Sequence, residues 1–117
     1  MTVEKLQSAY YVTSDMERSV GFYRDALGLD MVFQDGEKWT QFKAGGVNFA
    51  MASKEEAPKG ALGATVVFEV DDIEAVSGAL EAAGGEILGT RDMGDHGKTL
   101  SFRDPDGNLV QLYQRAS

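Results

Sequence analysis

Ser14-Asp-Met-Glu-Arg-Ser-Val-Gly-Phe-Tyr-Arg-Asp-Ala-Leu-Gly28 is the stretch from which the rest of the chain is read. Met16, Val20, Tyr23 and Leu27 recur at steps of three and four, which puts them on one face of a helix. Ser14 with Glu17 three residues on has the form of a capping box, each side chain serving a backbone donor at the helix start. Gly28 supplies the stop, since glycine takes the left-handed conformation at low cost. The apolar face requires a partner surface.

A second copy of the pattern follows, with Asp15 and Asp72, Glu17 and Glu74, Gly21 and Gly78, and Gly28 and Gly85 each 57 positions apart. In this copy Asp71 and Glu74 hold the capping places, Ile73, Val76, Leu80 and Ala83 form the apolar face, and Gly85 is the stop. Matching helix start, inner glycine and helix stop indicate an internal duplication.

Around the first helix, Leu6 to Thr13, Met31 to Gln34, Trp39 to Ala44 and Val47 to Ser53 read as strands, turned by Asp35-Gly36 and Gly45-Gly46. Lys54 to Gly63 carries four charges, one proline and two glycines and reads as a linker. Thr65 to Val70, Glu86 to Thr90, Lys98 to Arg103 and Leu109 to Gln114 repeat the order around the second helix. Pro105 and Gly107 make a tight turn of Asp104-Pro-Asp-Gly-Asn108. The expected fold class is α+β, two tandem βαβββ modules over 5–53 and 64–115 within a single domain spanning 3–115.

The 117 residues are 43% hydrophobic and 26% charged, ordinary globular composition. No apolar run approaches eighteen residues and no basic-then-apolar leader is present, so the expectation is a cytoplasmic protein without a membrane partner. The absence of cysteine removes disulfides, thiolate metal sites and cysteine nucleophiles. A formal charge of −8 argues against nucleic acid, whose phosphates need clustered lysine and arginine. It favours a cationic or neutral ligand.

Two βαβββ modules, the Phe22-Tyr23 and Leu27-Gly28 pairs of the first helix, and the Asp104-Pro105-Asp-Gly turn resemble the vicinal oxygen chelate superfamily. That group includes glyoxalase I, fosfomycin-resistance proteins, extradiol dioxygenases, methylmalonyl-coenzyme A epimerase and bleomycin-resistance proteins. The resemblance implies a curved sheet cleft with helices outside, commonly completed in a homodimer. It also implies a metal held by His, Glu or Gln on four strands. Carried over residue by residue, those four places are Ser8, Ala50, Thr65 and Gln111, with neither imidazole nor carboxylate among them. Two hydroxyls, a methyl and one neutral amide do not offset the dehydration of a divalent ion. No metal or other cofactor is therefore expected, and the chain looks most like the metal-free bleomycin-resistance branch.

Strand alternation then turns Tyr10, Val12, Asn48, Val67, Glu69, Leu109 and Tyr113 to the same side as these places, with Trp39 and Gln41 joining them. The candidate ligand-binding set is Ser8, Tyr10, Trp39, Gln41, Asn48, Thr65, Glu69, Gln111 and Tyr113. Tyr10 and Trp39 are either ligand platforms or core. A carboxylate on an apolar strand, Glu69 calls for water, a protein cation such as Lys43 or Lys98, or a ligand cation. His96 is the only histidine and the one group that titrates near neutrality by default. In Gly94-Asp95-His96-Gly97 it is either a general acid or an idle loop residue. Tyr11, Phe42 and Phe49, on the opposite faces, mark either a dimer contact or the surface beneath the helices.

Three readings follow. The first is a small-molecule binding protein that sequesters a cationic or aromatic ligand. The second is a glyoxalase-related lyase, isomerase or dioxygenase using Glu69 or His96, with or without a metal. The third is a partner-binding module whose cleft is filled by its own side chains.

Overall fold

A computed structural model describes residues 6–57 and 64–117; most of the expected linker lies outside the described residues. Eight strands form two four-stranded sheets. The first contains β1 (Ala9–Thr13), β2 (Asp30–Asp35), β3 (Trp39–Ala44) and β4 (Val47–Ser53), in the order β1-β4-β3-β2. The second contains β5 (Val66–Glu69), β6 (Glu86–Asp92), β7 (Lys98–Arg103) and β8 (Leu109–Gln114), in the order β5-β8-β7-β6. In each sheet the first and last strands pair in parallel and the other pairs are antiparallel. The topology of one half is thus repeated in the other.

The helices are α1 (Met16–Gly21), continued by a wider π-type turn over Phe22–Ala26, and α2 (Ile73–Ala82). Both caps differ by one residue from the sequence reading. Asp15, not Ser14, accepts from Arg18 N at 3.1 Å, and Asp72, not Asp71, accepts from Glu74 N at 3.1 Å. The Ser14 hydroxyl instead points at Asp106, 3.2 Å away. The second helix stops at Gly84, whose φ of +96° is the left-handed one. Gly85 is used for close packing: a Cβ there would stand 3.2 Å from the Phe22 ring.

Met16, Ser19, Val20, Phe22 and Tyr23 are buried, with α1 against β3 and β4 of the first sheet. Tyr11, Phe42 and Phe49 are 4%, 0% and 2% exposed, so they lie under the helices and not on a free surface. The ring of Tyr23 packs on Phe42 and Phe49, at centroid distances of 6.2 and 5.0 Å. Phe49 meets Phe68 edge-on at 5.2 Å, and Phe22 meets Phe102 at 6.1 Å. These contacts fuse the two halves into one apolar core, which is the dominant stabilising term in such a fold.

The halves are also pinned by polar contacts at one joint. The Asp104 carboxylate, 3% exposed, accepts from the Tyr23 hydroxyl at 2.8 Å and from Asp106 N, Asn108 N and Asn108 Nδ2 at 2.9 Å each. Asp106 accepts from Thr13 Oγ1 at 2.6 Å, Ser19 Oγ at 3.0 Å, Ser14 N at 3.2 Å and Arg18 at 2.6 Å. Burial works against the charge of Asp106, but these donors outweigh it and hold its carboxyl below the usual carboxylate range. The Tyr11 hydroxyl lies among Leu109 O, Ala64 O and Val66 N. Burial raises the pKa of both Tyr11 and Tyr23, and the nearby Asp104 charge raises it further. Among the described residues, no helix is long and apolar enough to cross a membrane.

Candidate functional site

The sheet faces turned away from the helices carry the expected constellation, because the alternate residues are committed to the core. On the first sheet the register places Phe33, Gln41, Ala50 and Tyr10 in one row, and Asp35, Trp39, Ala52 and Val12 in the next. Lys43 and Asn48 begin the row that leads to Ser8. Tyr10 and Trp39 meet at 5.0 Å between centroids with planes inclined by 56°, a favourable aromatic geometry. Trp39 Nε1 donates to Gln41 Oε1 at 3.2 Å. Ala50 and Ala52 have no exposure although they stand on this face, so the side chains around them cover both. The tyrosine and tryptophan thus form a half-exposed aromatic ledge over a floor of methyl groups. Asn48 Nδ2 donates to Gln7 O at 3.2 Å, and among the described residues no donor reaches its side-chain carbonyl.

On the second sheet, Ser101, Gln111 and Val67 form one row and Thr99, Tyr113 and Glu69 the next. Gln111 Nε2 donates to Ser101 Oγ at 3.0 Å. Glu69 is ion-paired with Arg115 at 2.9 Å. That partner was not among the cations expected from sequence, because it lies beyond the last strand. The pairing removes the need for a ligand cation at Glu69. His96 is exposed in a short turn between β6 and β7. Gly97, next to it, has a φ of +92° and lies so close to the Tyr113 ring that a Cβ would stand 2.9 Å from it. The loop is thereby fixed against the second face. No hydrogen bond or ring contact among the described residues joins the first-sheet constellation to the second.

One cavity does bring residues from both expected sets together. It occupies about 520 Å³ between the β3–β4 turn, the stretch 27–30 and β5. Asn48 and Glu69 line it, together with Leu27, Leu29, Phe49, Phe68 and Val70, while Asp30 and Lys43 stand at the same site. The sequence reading named Lys43 only as a possible partner for Glu69 and did not place Phe68 or Val70 in a site. The 61-residue offset between Gly46 and Gly107 was the available signal. Applied to the whole turn, it sets Lys43, Gly45 and Val47 against Asp104, Asp106 and Asn108.

The four metal places do not form a site. Ala50 offers a covered methyl group, the Gln111 amide is engaged with Ser101, and Ser8 and Thr65 offer only hydroxyls. Among the described residues, no three His, Cys, Asp or Glu side chains converge as metal ligands would.

Two duplicated βαβββ units with outward-facing polar and aromatic sheet faces define a paired-module α+β protein. The family model for the Glyoxalase/Bleomycin resistance protein/Dioxygenase superfamily matches residues 5–112, and the chain belongs to that superfamily. A probable lactoylglutathione lyase of Vibrio parahaemolyticus is 28% identical over 116 residues, covering 86% of this chain and 83% of that protein. The metallothiol transferase FosB of Shouchella clausii is 26% identical over 110 residues, covering 88% and 75%. Among solved structures, the fosfomycin resistance protein FosX of Listeria monocytogenes, complexed with Mn(II), superposes with a TM-score of 0.79 at 15% identity, covering 98% and 93%. A superfamily member from Sphaerobacter thermophilus gives 0.77 at 22% identity, covering 98% and 100%. These superpositions establish the fold.

Proposed function

We propose that the chain is a metal-independent small-molecule binding protein of this superfamily, cytoplasmic and homodimeric, in which a second copy completes the cleft begun by each sheet face. Its ligand is aromatic or cationic and stacks on the Tyr10–Trp39 ledge. The observation that carries this reading is the ledge itself, standing over Ala50 where the superfamily resemblance would place a metal ligand. Stacking on such a ledge contributes about 0.5 to 2 kcal/mol per ring. Gln41, Asn48, Gln111 and Tyr113 supply hydrogen bonds at the margins, and Ser8 and Thr65 supply hydroxyls. Trp39 is the only tryptophan, so its fluorescence reports on the site directly. Titration with planar cationic and neutral aromatic compounds is expected to quench it saturably. Calorimetric titration of chelator-stripped protein with nickel, zinc, manganese and ferrous iron is expected to show no stoichiometric uptake. Tight stoichiometric uptake would overturn the proposal.

A second reading, a lyase or isomerase, is favoured by the two enzyme relatives. Its candidate acid or base groups are Glu69 and His96, and it requires turnover that is lost in Glu69→Gln or His96→Ala. The ion pair of Glu69 with Arg115 weighs against it, because the carboxylate is already engaged by a guanidinium and not turned to a substrate proton.

A further inference from the structure

The duplication makes the cavity at β5 more than an irregularity. Each half offers a turn between its last two strands to the start of the other half. In one direction the Asp104–Asn108 turn fits against residues 11–19, and Pro105 lies 3.7 Å from where a Cβ of Gly84 would stand. In the other direction the equivalent turn is Lys43-Ala-Gly-Gly-Val47, facing Phe68 and Val70 in place of Tyr11 and Thr13. The aspartates, asparagine and proline that plug the first joint are replaced by lysine, glycine, valine and alanine. The space they would fill is the cavity of about 520 Å³.

We infer that this vacated joint is a binding site for a neutral, largely apolar compound of one or two rings. The inference goes beyond the ligand reading above, because the cavity is a second site whose lining includes neither Tyr10 nor Trp39. The volume falls in the range of sites that enclose small organic molecules, roughly 300 to 1,000 Å³. The walls are Leu27, Leu29, Phe49, Phe68 and Val70. The rim carries charges of both signs: Lys43 stands opposite Asp30 in the β2–β3 ladder without an ion pair between them, and Glu69 is paired with Arg115. With charges of opposite sign beside one another at the rim, a charged ligand head gains little net attraction, and its desolvation against apolar walls is costly. The side-chain carbonyl of Asn48 offers one acceptor for a hydroxyl or amide of the ligand.

The probe is Nile red, a neutral apolar dye, titrated into the full-length chain and followed by its fluorescence. Saturable one-to-one binding is expected. Val47→Trp and, separately, Ala44→Phe, both at the mouth, should each weaken it at least tenfold. Val47 is 48% exposed and Ala44 half-buried, so if one substitution disturbs folding, the other decides. Absence of saturable binding by the unaltered chain, or unchanged affinity in a folded mouth variant, overturns the inference. Loss of dye binding in Trp39→Ala with retention in both mouth variants also overturns it, and leaves the aromatic ledge as the site. Loss in the mouth variants with a normal Trp39 response to planar ligands upholds the cavity as a site separate from the ledge.

Discussion

The joint made by the Asp104–Asn108 turn and the joint made by the Lys43–Val47 turn occupy equivalent places in a duplicated chain, yet one is a lock and the other an opening. In the first, two carboxylates collect donors from five residues of the opposite half, Thr13, Ser14, Arg18, Ser19 and Tyr23. In the second, the corresponding side chains have no acceptor to offer and apolar walls face an empty volume. A repeated fold needs only one of its two joints fastened for the halves to share a core. The other is then free to take on a different task.

The largest effect is expected where the fastened joint also carries core volume. Tyr23→Ala should lower unfolding free energy by about 3 to 5 kcal/mol in chemical denaturation, since it empties a buried ring site and strips Asp104 of a donor. Asp106→Ala should cost about 2 to 3 kcal/mol because it leaves buried hydroxyls and a backbone N–H without their acceptor. At the equivalent unlocked joint, Lys43→Ala should stay within about 0.5 kcal/mol of the parent. Equal costs at the two positions would break the comparison.

The same carboxylate gives the comparison a pH axis. The folded pKa of Asp106 is depressed, so at moderately acid pH the unfolded chain binds a proton that the folded chain does not, and stability rises with pH there. Its contribution is complete above the ordinary carboxylate range and is lost as pH falls through the folded value. Asp106→Asn should flatten this acid limb in thermal melts followed below about pH 5. A small effect also belongs to the pair beside the cavity. Arg115→Ala should cost less than about 1 kcal/mol, and the cost should fade in high salt, because both partners are substantially exposed.

Much of this architecture was legible in the sequence. Trp39–Ala44, Val47–Ser53, Lys98–Arg103 and Leu109–Gln114 fall where alternation and turn residues placed them, because a strand with one face in the core declares its period. The same alternation put Tyr10, Trp39, Gln41, Asn48 and Gln111 on one side of their sheets. The first and fifth strands read too long, since Leu6 is 75% exposed and apolar character alone does not set pairing. The caps slipped by one residue because Ser14-Asp15 and Asp71-Asp72 each offer two competent side chains, and long-range contact with Asp106 decides the first. Neither the pairing of Glu69 with Arg115 nor the open joint was legible by local pattern, for the first depends on the register of β8 beside β5 and the second on residues brought together from separate halves.

The Tyr11 hydroxyl has a consequence for how the chain comes apart. It accepts from Val66 N at 2.7 Å, on the terminal strand of the second sheet, and it reaches Leu109 O on the neighbouring strand. That amide can therefore trade its proton for deuterium only when the first half lets go of the second. Its exchange rate times the protein's separation, so Val66 should rank with the buried amides of Phe102 and Leu112 among the slowest, and a duplicated chain should melt in one step.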